Sequence, residues 1–259
     1  MTTRLLAATT LLFAATTLSA QQYKYLTSVA TFKVTPGKDS AFVQKGKAFT
    51  APLDKLMESG VVLAYGIDVD MLHVPGENNI AFWVEVPNYD ALAREEDAIE
   101  GFMKANPGLM GDLTSMADMT THRDLVIRTR EEGHKSVPPG AQPIGDFDIV
   151  RIKPGHMQDF MTMFKKYDQP VYDKLVADGV IYAYELDVEA VHTMEPGLVW
   201  TIVTMPNLGA KDKVNAAFDE AEKKLSDGER DMAEKAYMDM VVPGSHRDSL
   251  SVSVVYKAK

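Results

Sequence analysis

Two periodicities run along this chain, and they alternate in the same order twice. Residues 25–34 are rich in β-formers and end at Pro36-Gly37, which predicts a strand followed by a turn. Over 38–58 the apolar residues Phe42, Phe49, Leu53, Leu56 and Met57 recur at helical spacing, and Gly60 stands where a helix takes a left-handed cap. From 61 to 73 the period falls to two, so that Val61, Leu63, Tyr65, Ile67, Val69, Met71 and His73 share one face of a strand. A turn at Pro75-Gly76-Glu77-Asn78 leads to a strand over 80–86. Residues 89–119 are mainly helical, with a break at Asn106-Pro107-Gly108, and 122–129 is the last strand. The order is β-α-β-β-α-β. It returns over 146–152, 157–178, 180–192, 198–204, 208–240 and 246–256.

Individual residues return with it. Asp54-Lys55-Leu56, Gly60-Val61, Ala64-Tyr65, Asp68-Val69 and His73 are answered by Asp173-Lys174-Leu175, Gly179-Val180, Ala183-Tyr184, Asp187-Val188 and His192. Lys33-Val34-Thr35-Pro36-Gly37 is answered by Arg151-Ile152-Lys153-Pro154-Gly155, and His122-Arg123-Asp124 by His246-Arg247-Asp248. A repeat this long exceeds a solenoid unit and predicts two copies of one small domain, 21–130 and 146–259. Residues 131–145, with Pro138-Pro139-Gly140 and Pro143, are expected to form an exposed linker. Trp83 aligns with Ile202 and Ala81 with Trp200, which puts both tryptophans on the same face of the third strand.

The fold class is α+β, with two ferredoxin-like repeats. Each antiparallel sheet takes helices on one face and must cover the other, and a second copy in the chain supplies the cover. With its Lys-Val-Thr-Pro-Gly and Arg-Ile-Lys-Pro-Gly strand ends, its helices bearing Phe42 or Phe160, and this topology, the chain resembles the dimeric α/β-barrel superfamily. Stress-responsive barrel proteins, NIPSNAP-like proteins and antibiotic-biosynthesis-type monooxygenases belong to it. The resemblance implies sheets paired face to face, here as a pseudo-dimer within one chain, with further oligomerisation open.

Residues 1–20 have Arg4 near the start, an apolar run broken by threonines, and Leu18-Ser19-Ala20 before Gln21, the pattern of a cleaved secretory signal. A periplasmic or extracellular location and no stable membrane insertion are expected. Removing the signal takes away only Arg4, so the net charge of −10 becomes −10 − 1 = −11. Such acidity repels phosphate backbones and argues against nucleic acid as a partner. The chain contains no cysteine, which excludes disulfides and thiolate chemistry.

Four of the six histidines, His73, His192, His122 and His246, occupy matched positions, as candidate bases or ligands or as strand-end anchors. In the spatial order 4-1-3-2, His73 and His122 lie three strands apart, roughly 14 Å. A joint site therefore needs the other copy, as His73 with His246 or His192 with His122. Strand alternation aims His122 and Asp124 one way and Arg123 the other, and likewise His246 and Asp248 against Arg247. The arginines are expected to form ion pairs, with an anionic ligand as the alternative. Tyr65 and Tyr184 share the apolar face with the strand-two histidines, as pocket residues or packed aromatics. Asp68 and Asp70, matched by Asp187 and Glu189, share the opposite face. Paired carboxylates can act as acid and base, but on an edge strand they also deter unwanted pairing, the favoured reading. The methionines are expected to fill core space between helices.

The leading functional expectation is a small apolar or aromatic ligand held in a barrel pocket, with no cofactor and no metal. The resemblance implies an alternative, a cofactor-independent monooxygenase-like or haem-associated enzyme. A structural, oligomer-forming envelope protein is a third class. Fold alone does not rank them.

Overall fold

The computed structural model describes residues 23–72, 74, 76–191 and 196–259; the expected signal, His73 and His192 lie outside the described residues. The first half runs β1 (Leu26–Val34), α1 (Asp39–Gly46), a short 3-10 turn (Lys47–Phe49), α2 (Thr50–Glu58), β2 (Ala64–Asp70), β3 (Ile80–Val86), α3 (Tyr89–Ala105), α4 (Pro107–Met116) and β4 (Ala117–His134). The second runs β5 (Ile144–Arg151), α5 (Met157–Tyr167), α6 (Gln169–Ala177), β6 (Ala183–Glu189), β7 (Leu198–Met205), α7 (Gly209–Glu222), α8 (Asp227–Met240) and β8 (Arg247–Ala258).

All eight strands close into one antiparallel barrel in the order β1-β3-β2-β8-β5-β7-β6-β4. The halves join along β2 and β8 and along β4 and β6, so the strand-two edge of each half meets the last strand of the other. Closure removes the sheet edges.

Several boundaries differ from the sequence reading: β4 begins at Ala117, where helix was expected, and the helix expected over 157–178 is split into α5 and α6. Val61 and Val180 end helices rather than start strands. The Val61 and Gly60 amides donate to Leu56 and Met57 carbonyls at 2.9 and 3.1 Å, and Val180 and Gly179 donate to Leu175 and Val176 at 2.9 and 3.0 Å. This pair of hydrogen bonds needs a left-handed residue, supplied by Gly60 at φ 80° and Gly179 at φ 72°. The last strand of the first half also runs on into the expected linker. Beyond an irregularity at Thr129–Glu131, residues Glu131, Glu132, Gly133 and His134 pair with Leu186, Glu185, Tyr184 and Ala183. The ladder persists because β4 pairs with β6 along one of the two seams that join the halves.

The apolar core lies outside the barrel, between the strands and the helices. In the first half, Leu53, Met57, Tyr65 and Val86 form one cluster and Phe42, Ile67, Ile80 and Leu113 another. In the second, Phe160, Phe164, Leu175, Tyr184 and Val199 lie in one continuous cluster. Burying each such aliphatic side chain stabilises the fold by about 1.5–3 kcal/mol. Met161 and Met240 fill this core as expected, whereas Met232 and Met238 are exposed on α8.

Candidate functional site

The inward faces of the strands enclose a cavity of about 230 Å³. Alternation selects its wall: where Val69, Ile67 and Tyr65 pack under helices, Asp68 and Asp70 turn inward, and where Leu186 and Val188 pack outward, Glu185 and Asp187 turn inward. Glu85 and Trp83 come from β3, Trp200 from β7, Phe147 from β5 and Tyr256 from β8. Among the described residues, no lysine, arginine or histidine lines the cavity.

Asp68 and Asp187, at matched positions, meet matched hydroxyl residues of the opposite half. Asp68 accepts a hydrogen bond from Ser253 at 2.6 Å, and burial nevertheless pushes its carboxyl up to about 6. Asp187 stands in register with Thr129 across the β4–β6 ladder, yet neither of its oxygens accepts a hydrogen bond of good geometry. Its exposure is 0 %. Burial pushes it up to about 7, with the Thr129 hydroxyl working against the rise and the Glu132 charge adding to it.

Glu185 and Glu85 complete the acidic wall. Burial raises Glu85 to about 8, helped by the Asp187 and Glu132 charges. Glu185 is raised well above the ordinary carboxylate range by burial and then by Glu85, Asp187 and Glu132, with the Tyr25 hydroxyl opposing. Both glutamates retain some accessible surface, and that surface faces the cavity. Burial is the leading cause throughout: water that would solvate these charges is replaced by protein.

The tyrosines, and the described histidines and arginines, that the sequence picks out lie outside this cavity. Tyr65 and Tyr184 pack beneath the helices, with hydroxyls donating to Asp54 at 2.7 Å and Asp173 at 2.6 Å. His122 is half-buried on the outer face, its Nδ1 3.0 Å from the Thr31 carbonyl oxygen, its ring stacked on Phe32, and its Nε2 3.3 Å from Asp124. His246 Nε2 lies 3.3 Å from Asp148 and 3.4 Å from Asp248. These three side chains are exposed, and their ligand atoms all lie within 4.8 Å of one another. Arg247 pairs with Glu77 at 3.1 Å, and Arg123 is exposed. The proposed pairs His73 with His246 and His192 with His122 involve residues outside the described ones.

One sequence expectation is corrected. Asp68, Asp70, Asp187 and Glu189 do not guard an edge, because β2 lies between β3 and β8 and β6 between β7 and β4. Both tryptophans do share one face, and that face is the cavity wall. Glu85, Glu185 and Tyr256 were not singled out. The available signal was their spacing, with Glu85 two residues from Trp83 and Glu185 two from Asp187.

No family model matches the chain, and no curated protein matches it. In structure it is similar to a candidate monooxygenase from Fusobacterium nucleatum subsp. nucleatum, with TM-score 0.64 and 12 % identity over 92 % of this chain and 95 % of that one. A candidate monooxygenase from Lactobacillus acidophilus is similar with TM-score 0.61 and 14 % identity, over 91 % and 96 % of the two chains. An anthrone oxidase-like protein is similar with TM-score 0.53 and 12 % identity, over 91 % and 93 %. At such identities the likeness is one of architecture, and the architecture this chain shares with those proteins is the dimeric α/β barrel.

Proposed function

We propose that the barrel interior binds a small molecule with an apolar or aromatic body, in a protein exported after loss of residues 1–20. On this reading the chain is a pair of ferredoxin-like copies facing one another as a pseudo-dimer, with a single cavity shared by both. The observation that carries it is the cavity itself, with four aromatic side chains, Trp83, Phe147, Trp200 and Tyr256, in its wall. Trp83 and Trp200 are the only tryptophans in the chain, so intrinsic fluorescence reports directly on occupancy. Ligand titration is expected to change tryptophan emission and to raise the thermal midpoint together, and Trp200→Ala to weaken both. Thermal stabilisation with unchanged tryptophan emission would place the ligand elsewhere.

A second reading, a monooxygenase-like enzyme acting on the bound molecule, draws support from the naming of two fold neighbours as candidate monooxygenases. It also draws support from carboxyls raised to about 6 to 8 in the cavity wall, the range in which a general base works at neutral pH. Dioxygen uptake on adding a ligand separates the two, since a binding protein consumes none. A haem-associated alternative would take its axial ligand from Tyr256, since no described histidine lines the cavity.

A further inference from the structure

The acidic wall of the barrel has no counter-charge within it. Glu85, Glu185 and Asp187 come from β3 and β6, and no cationic side chain of the described residues lines the cavity with them. A cluster of acids is not in itself a site, since carboxyls can share protons. Asp187 adds an independent observation: it is fully buried, it faces the cavity, and neither of its oxygens accepts a hydrogen bond of good geometry. Buried carboxylate oxygens are normally satisfied, so this pair marks a place where a donor or a positive charge belongs.

The remaining walls select the kind of cation. Indole, phenol and phenyl rings present π faces that attract a positive charge, and Val29, Leu125 and Ile127 provide apolar surface beside them. A bare divalent ion needs several oxygen ligands converging on one point. Among the described residues, the only metal-type donors that come together in this way are Asp148, His246 and Asp248 on the outer surface. The described carboxyls of the barrel do not converge in that way, which suits a larger ion whose charge is diffuse.

We propose that the barrel cavity takes an organic cation, an amine or quaternary ammonium group on an apolar or aromatic body, with its charge held against Asp187, Glu185 and Glu85. This inference rests on the reading of the cavity as a small-molecule site and adds the charge of its ligand. The groups facing the cation are those three carboxyls, Asp68 and Asp70 on β2 and Tyr256 on β8, with Tyr25 and Glu132 next to the cluster. Raised carboxyl pKa values fit the same picture, because a proton does the neutralising that a cation would otherwise do.

The test is a fluorescence and calorimetric titration of the full mature chain with benzyltrimethylammonium, benzyl alcohol, benzoate and calcium chloride at pH 8. The ammonium ion is expected to bind at least about tenfold more tightly than benzyl alcohol, with benzoate weaker still. The Asp187→Asn/Glu185→Gln double variant is expected to cut that preference, read as the ratio of the ammonium and benzyl alcohol affinities, to less than about twofold. Asp187→Asn alone, expected to give an intermediate loss, serves if the double variant fails to fold. Equal binding of alcohol and ammonium would overturn the charge inference and leave the small-molecule reading standing. Calcium binding that displaces the ammonium and is lost in Asp187→Asn would overturn it in favour of a metal. No binding of any organic probe would overturn both readings.

Discussion

Tyr184 donates its hydroxyl to Asp173 at 2.6 Å, and Tyr65 repeats the contact with Asp54 at 2.7 Å. Each bond ties a strand, β6 or β2, to the helix that precedes it, α6 or α2. Matched tyrosines in matched bonds account for their presence in both halves through packing. Tyr184→Phe is expected to lower unfolding free energy by about 1.5–3 kcal/mol, the range for a hydrogen bond to a charged group. Tyr65→Phe should fall at the low end, because Asp54 keeps Lys257 at 2.6 Å. Urea denaturation measures both, and neither variant should alter ligand affinity.

His122 is held in the same structural manner. Its contacts with the Thr31 carbonyl and the Phe32 ring, the latter at a centroid distance of 4.5 Å, fasten the start of β4 to β1. His122→Ala is expected to cost about 1–2 kcal/mol of stability with unchanged tryptophan-detected binding. His246, exposed beside Asp148 and Asp248, should cost about 0.5 kcal/mol or less on replacement by alanine, as a screened surface pair does. A loss of binding in either variant with stability intact would restore the histidines as site residues.

What the sequence disclosed and what it concealed follow from one geometric fact. The alternation Tyr65, Ile67, Val69 identified the face beneath the helices, because burial against helices requires apolar side chains. The opposite face, Asp68, Asp70, Trp83 and Glu85, looks like solvent-facing or edge surface when a half is read alone. Only closure of the barrel turns that face inward, and closure depends on pairing between β2 and β8 and between β4 and β6, which no local pattern encodes. Histidines attracted attention by their chemistry and their repetition. The carboxyls gained theirs only from an environment supplied by both halves together.

Gly66 sits at the position matched by Glu185 in the second half, and packing explains the difference. A Cβ there would come within 2.5 Å of the Trp83 ring and 2.7 Å of the Val255 carbonyl oxygen. The ring lies over the backbone of β2 because nothing stands between them. Gly66→Ala is therefore expected to destabilise the protein by about 1–3 kcal/mol, the usual cost of overpacking, and to shift tryptophan emission by displacing Trp83. Emission of the Trp83→Phe background, which reports Trp200 alone, should respond far less to the same substitution.

Stability of the empty protein should fall as pH rises. The carboxyls of Asp68, Asp187 and Glu85 stand at about 6, 7 and 8 in the folded protein, against ordinary values of 3.8, 3.8 and 4.5. Between the two sets of values the folded state holds protons that the unfolded chain has released. The dependence of unfolding free energy on pH is then negative, so stability from these groups is greatest near pH 4, declines through about pH 8 and flattens beyond. Asp187→Asn should stabilise the protein at pH 8, change little at pH 4, and reduce the slope between them. Thermal melts across that range provide the measurement, and a midpoint that rises steadily with pH in the wild-type chain would contradict a buried, uncompensated acidic wall.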